Sequence, residues 1–155
     1  MSESIADRLE KLGITLPDTA APLANYVPFV ITGKTVFVSG QLPLLNGELQ
    51  STGKLGADLS VEDGQAAAHF CALNLIAQAR EAAGGDLEKI AQVVRLGGFV
   101  NCTPDFTEQA QVINGASDVM VDVFENKGRH ARAAVGCVSL PRGASVEVDG
   151  IFELA

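Results

Sequence analysis

The 155-residue sequence predicts an α+β fold, with one mixed β-sheet and two helices on one of its faces. Three observations lead there. Runs rich in β-branched residues come in pairs near both ends of the chain. Two long segments with apolar stripes flank a further strand-like run, Gln92 to Asn101. No sharp repeat and no linker divides the sequence, so it reads as one domain, with residues 1–21 an N-terminal helix and connection and residues 22–155 the core.

Each element has a local cause. Ser4 can cap a short helix through Leu12, with Asp7 three residues on and Gly13 as the stop. Ile5, Leu9 and Leu12 give that helix a narrow apolar stripe for packing on the core. After a Pro- and Ala-rich connection, Tyr26–Thr32 and Thr35–Ser39 read as a hairpin turning at Gly33–Lys34. Pro28 assigns its first strand to a sheet edge. A loop with an Asn46–Gly47 turn runs on to Leu59. Ser60 and Asp63 form a capping box for a long helix ending near Gly84–Gly85, with Ala66, Phe70, Leu73, Ile76 and Ala77 as its apolar stripe. Gly97–Gly98 mark a bulge in the strand Gln92–Asn101. Thr103–Pro104–Asp105 reads as an N-cap with Pro in the first helical position, opening a second helix through Val112, Ala116, Val119 and Val123. Ala131–Leu140 and Ser145–Leu154 then read as two strands joined as a hairpin across Pro141–Ala144. In this order both helices cover one sheet face, and the apolar alternation of the strands predicts a partner subunit on the other.

Composition excludes several classes of function. Eleven basic against nineteen acidic residues give a net charge of −8, which repels phosphate backbones and anionic lipid, so neither nucleic acid nor membrane is an expected partner. At 47% hydrophobic and 19% charged, the chain is too apolar to be disordered. Its apolar runs are too short for a membrane span, and no signal-peptide pattern opens it, so a cytoplasmic location is expected. Three widely spaced cysteines, Cys71, Cys102 and Cys137, argue against a disulfide framework, and two distant histidines, His69 and His130, against a structural metal site. Gly53–Lys54 lacks the strand and helix of a phosphate loop, and neither histidine has a nucleophile at a readable spacing.

Two charged residues carry more information. Arg132 interrupts a strand of Ala, Val, Gly and Cys, where small neighbours leave room for a carboxylate ligand; a structural ion pair explains it equally well. Glu147 lies on the polar face of the last strand, where a solvated glutamate is the simpler reading. Paired as a hairpin, the last two strands put Arg132 and Glu147 about 20 Å apart along the strand. They could then share a small-molecule site only across a subunit interface.

The motifs Gly33, Ser39–Gly40–Gln41–Leu42–Pro43, Asp105–Phe106, Val112–Ile113–Asn114, Ala131–Arg132, Leu140–Pro141 and Val146–Glu147–Val148 together resemble the RidA/YjgF family, historically labelled endoribonuclease L-PSP. The resemblance spans about Pro22 to Leu154. It implies a chorismate-mutase-like fold, a homotrimer with ligand clefts between subunits, and hydrolysis of reactive 2-imino or enamine acids to 2-oxo acids and ammonia, without metal or cofactor. Arg132 would clamp the substrate carboxylate, the Gly40 N–H would help hold the ligand, and Glu147 of the neighbouring subunit would position or activate water. Tyr26 falls where the family has a cleft tyrosine, and Asn114 matches a cleft asparagine; plain packing and a solvated helix amide are the alternatives. Ala134 stands in the cleft where the family usually has cysteine. The segment between Phe106 and Asn114 is longer than the family's, and the N-terminal helix is an addition, so the chain reads as a divergent branch. Two functions follow from this reading: an imine deaminase, or a non-catalytic binder of small carboxylate metabolites. The ribonuclease role of the old label conflicts with the acidic charge.

Overall fold

The computed structural model describes residues 2–19 and 25–155. Helix α1 (Ile5–Lys11) has the expected reciprocal cap: Ser4 Oγ accepts from the Asp7 N–H and Asp7 accepts from the Ser4 N–H. Ile5 and Leu9 are buried, whereas Leu12 is exposed. The helix is held to the core by the Ile5 N–H on Glu88 Oε1 at 2.6 Å and by Arg8 on the Val123 carbonyl.

Strands β1 (Phe29–Thr32) and β2 (Thr35–Gln41) form the first hairpin, turning through Gly33 at φ +61°. Tyr26 precedes β1 rather than belonging to it. Within the following loop, β3 (Leu44–Leu45) and β4 (Glu48–Leu49) form a small second hairpin across Asn46 and Gly47, both at positive φ. Helix α2 (Val61–Ala82) begins at the Ser60–Asp63 box. Leu73, Ile76 and Ala77 of the expected stripe are buried, Phe70 is half-buried and Ala66 is exposed. The buried face is wider than the stripe and takes in Gly64, Ala67, Ala68, Cys71, Ala72, Leu75 and Ala79. Small residues at these positions let α2 lie close to the sheet and to helix α3 (Gln109–Phe124). At Gly115 of α3, a Cβ would stand 2.2 Å from the Gln65 carbonyl oxygen.

The start of α3 corrects the sequence reading. The helix begins after Glu108, and Thr103–Asp105 lie outside it. The Thr103 N–H is committed to the Leu55 carbonyl and its hydroxyl to Asp105, so this segment is fastened to the 52–59 loop instead of opening a helix.

Strands β5 (Ile90–Asn101), β6 (Ala131–Cys137) and β7 (Val146–Leu154) complete a five-stranded sheet in the order β1-β2-β7-β5-β6. The expected hairpin of the last two strands is therefore absent. β5 lies between them, antiparallel to β7 and parallel to β6 through the α3 crossover. Nor is Gly97–Gly98 a bulge; the register breaks lie between Ile90 and Gln92 and between Val93 and Arg95. The glycines admit neighbours instead, since a Cβ at Gly98 would meet Ile113 at 2.5 Å and one at Gly97 would meet Asp149 at 2.3 Å.

Both long helices cover one face of the sheet, against Val36, Val38, Leu96, Val100, Val146, Val148 and Phe152. The other face carries Phe37, Phe99, Val135, Ile151 and Glu147, with an Arg95–Asp149 ion pair at 3.8 Å. On it Phe37 and Val135 are each 47% exposed.

Candidate functional site

Arg132 projects from β6 on the helix-covered side, level with Leu96 of β5. One terminal nitrogen, Nη1, donates to Asn114 Oδ1 at 2.7 Å and to Ser117 Oγ at 3.1 Å. Asn114 and Ser117 stand three residues apart on α3 and so share a helix face. Two acceptors occupy both hydrogens of Nη1, which leaves the Nε–Nη2 edge of the guanidinium for a bidentate anion. Among the described residues Arg132 makes no ion pair; its partners, Asn114 and Ser117, are neutral. Ala134 and Gly136 follow on the same side of β6. Beyond them a cavity of about 330 Å³ is lined by Cys102, Phe106, Gln109, Gly136 and Cys137.

Glu147 stands on the open face of β7, level with Phe99. It is half-buried, and burial, with Asp149 second, pushes its carboxyl above the ordinary value. A raised pKa makes the ionised carboxylate a stronger base toward water. Gly40 touches it from β2. Between Val38 and Gln41 the ladder slips, so Ser39 and Gly40 both lie opposite Asp149. A Cβ on Gly40 would stand 2.5 Å from Glu147 Oε2, so glycine is what lets this carboxylate lie against the bulge. Ser39 Oγ donates to the Val27 carbonyl at 2.8 Å, which brings the Tyr26 segment to the same bulge; Tyr26 itself is 61% exposed.

The predicted residues thus form two groups: Arg132, Asn114 and Ala134, and Gly40, Glu147 and the neighbouring Tyr26. In register Arg132 and Glu147 are three residues and two strands apart, about 14 Å, and on opposite faces. The hairpin geometry is replaced, yet the two groups still do not share a site within one subunit. The sequence reading missed Ser117 and His130, which join Arg132 in a hydrogen-bonded chain. The signals were alternation, which puts 130, 132 and 134 on one side, and the 114/117 helical spacing. Lys54, dismissed as a phosphate ligand, donates to Asn101 Oδ1 at 2.8 Å and to the Val138 carbonyl. A larger hollow, about 790 Å³, lies elsewhere, on the outer surface between α2 and α3. Among the described residues no group of side chains is arranged to hold a metal ion, and no helix is long and apolar enough to cross a membrane.

A mixed sheet covered by helices on one face, with an arginine group and a glutamate group on different faces, defines an α+β protein of the chorismate-mutase-like class. Residues 6–150 match the family model described as "YjgF/chorismate_mutase-like, putative endoribonuclease". The chain belongs to the YjgF/RidA family. Protein TCP17 of Trypanosoma cruzi is 53% identical over 99% of this chain and 96% of its own. The crystal structure of Atu1372, a protein of unknown function from Agrobacterium tumefaciens, superposes with a TM-score of 0.91 at 51% identity, covering 98% of this chain and 94% of that one. The fold is shared more distantly with Escherichia coli TdcF with bound serine, with a TM-score of 0.62 at 22% identity over 90% of this chain and 94% of that one.

Proposed function

We propose that the chain assembles as a homotrimer and hydrolyses small 2-imino acids in clefts where Arg132 of one subunit faces Glu147 of the next. The observation that carries this reading is Arg132, fixed through Nη1 by two neutral partners so that its other edge is presented to a carboxylate. The exposed apolar rows of the open face support the assembly, since burying Phe37 and Val135 against another copy removes apolar area from water.

In the cleft, the Nε–Nη2 edge holds the substrate carboxylate and orients the imine carbon. Glu147 takes a proton from water as its oxygen bonds to that carbon, and passes it to the nitrogen, which receives the C=N electron pair to give a carbinolamine. It then takes the hydroxyl proton and delivers it to the nitrogen as C=O forms and the C–N bond breaks, giving a 2-oxo acid and ammonia. Water supplies the oxygen and both hydrogens needed, so no cofactor takes part. Tyr26 and Gly40 border the glutamate side; Asn114 and Ala134 border the arginine side. The serine bound to TdcF, itself a small amino acid with a carboxylate, supports the substrate class. Three unpaired cysteines suit a reducing cytoplasm.

Trapping with semicarbazide the imine released by an amino-acid oxidase tests the reading. The native chain is expected to lower the trapped product. Arg132→Ala is expected to lose about a hundredfold in activity with the loss of a charge-assisted bidentate contact. Undiminished trapping at high protein concentration sinks the deaminase. A second reading, a carboxylate binder without turnover, draws on Ala134 in place of the family's usual cysteine. Calorimetric binding of 2-oxo acids that Arg132→Ala abolishes, with no turnover, favours it. Salt-sensitive binding of RNA would revive the family's ribonuclease label against the charge of −8.

A further inference from the structure

His130 has no part in the reaction just described, yet through Ser117, one of the two residues that fix Arg132, it forms a directed chain that ends on the guanidinium. His130 Nδ1 lies 2.6 Å from the Gly128 carbonyl oxygen, which can only accept, so Nδ1 carries the ring hydrogen. With its one hydrogen on Nδ1, the neutral form of the ring has a bare Nε2, 2.9 Å from Ser117 Oγ, to which the hydroxyl can donate. The same Oγ accepts from Arg132 Nη1. Ser117 thus spends its one hydrogen on the imidazole.

We propose that Ser117 and His130 belong to the anion-binding half of the cleft, and that capture of a carboxylate on Arg132 is coupled to uptake of a proton by His130. The proposal rests on the reading of Arg132 as a carboxylate clamp. Once protonated, Nε2 donates to Ser117 Oγ, which keeps a lone pair for Arg132 Nη1 and frees its own hydrogen. The imidazolium adds a second positive charge beside the guanidinium. By linkage, the bound carboxylate favours the protonated ring as much as the protonated ring favours the carboxylate.

The charges on the surrounding elements leave Arg132 as the neighbour in contact with the chain. Asp118 and Asp122 of α3 line the outer hollow on the α2 side, and Asp122 acts on His69. Glu125 pairs with Arg8, and Arg95 of β5 pairs with Asp149 on the open face. Lys127 and Arg129 are exposed. His130 is therefore a positioning residue acting through Ser117.

Calorimetric titration of the full chain with 2-oxobutanoate, in buffers of different ionisation heat across about pH 5.5–8.5, reads the coupling directly. The native chain is expected to take up protons on binding and to lose roughly tenfold in affinity from the acid to the alkaline end of that range. His130→Gln is expected to bind without proton uptake, Ser117→Ala with reduced uptake, and Ser117→Thr as the native chain does. A side chain that only braces the fold would not change the number of protons exchanged. Binding with no proton uptake in the native chain, or unchanged uptake in His130→Gln, overturns the proposal. If 2-oxobutanoate binds at no pH, the clamp reading fails on its own, and long-range nitrogen–proton spectra of the free chain still decide the relay. A neutral His130 bearing its hydrogen on Nδ1 supports the relay, and one bearing it on Nε2 overturns it.

Discussion

The two faces of the sheet are built from the same strands by the same alternation, yet they meet different surroundings. On the covered face Val36, Leu96, Val146, Val148 and Phe152 are fully buried under α2 and α3. On the open face Phe37 and Val135 alternate with them in sequence and remain exposed. Alternation marks both rows as apolar; only the helices decide which row is core within the chain. The open row is then available for another subunit, and it carries Glu147 with it.

The largest expected effect belongs to the covered face. Phe152→Ala removes a fully buried ring packed 6.5 Å from Phe124 and is expected to cost about 3–5 kcal/mol in denaturant unfolding. A similar loss of chain stability from Phe37→Ala, measured on the separated subunit, would break the comparison. The double variant Phe37→Asp, Val135→Asp is expected to leave a folded single chain by circular dichroism and to abolish assembly by light scattering. Unfolding instead would make the open face part of the core.

Gly40→Ala sharpens the contrast locally. Its Cβ would collide with Glu147 Oε2, so imine turnover is expected to fall by about tenfold or more, while 2-oxo acid binding at Arg132 stays within severalfold. Equal losses of both would contradict the division of roles between the glutamate side and the arginine side. The smallest effect is electrostatic. Burial raises the carboxyls of Glu147 and Asp149 above their ordinary values of 4.5 and 3.8. Between each ordinary value and its raised one, the folded chain holds more protons than the unfolded chain, so stability falls as pH rises through that window. Glu147→Gln is expected to flatten this decline in unfolding curves taken across the acid range; a steeper decline would contradict the assignment.

What was legible in the sequence follows the same division. Ser4 with Asp7 and Ser60 with Asp63 announce helix starts because a cap is a contact three residues long. The uncovered face was legible because alternation is local. The neighbour of β6 was not: a strand of Ala, Val and Gly pairs parallel or antiparallel equally well, and β5 intervenes only through the α3 crossover. Pro104 signalled a helix that the Leu55–Thr103 hydrogen bond forestalls. Gly97–Gly98 suggested a bulge where the missing side chains admit Asp149 and Ile113. In the candidate site, Arg132 was conspicuous among small residues. Ser117 and His130 were not, since a hydroxyl on a helix and an imidazole just before a strand meet only once α3 lies against β6.

The position of β7 carries a consequence for how the chain comes to be folded. It is the latest of the strands in chain order, yet it fills the middle of the sheet, between β2 and β5. A nascent chain that has emerged only as far as β6 holds two separate strand pairs, β1–β2 and β5–β6, whose inner edges have no ladder partner. Those edges stay open to other chains until Val146–Leu154 has left the ribosome and inserted between them. The sheet therefore closes only once its latest strand is available, and the interval before it is when association with the wrong partner is easiest.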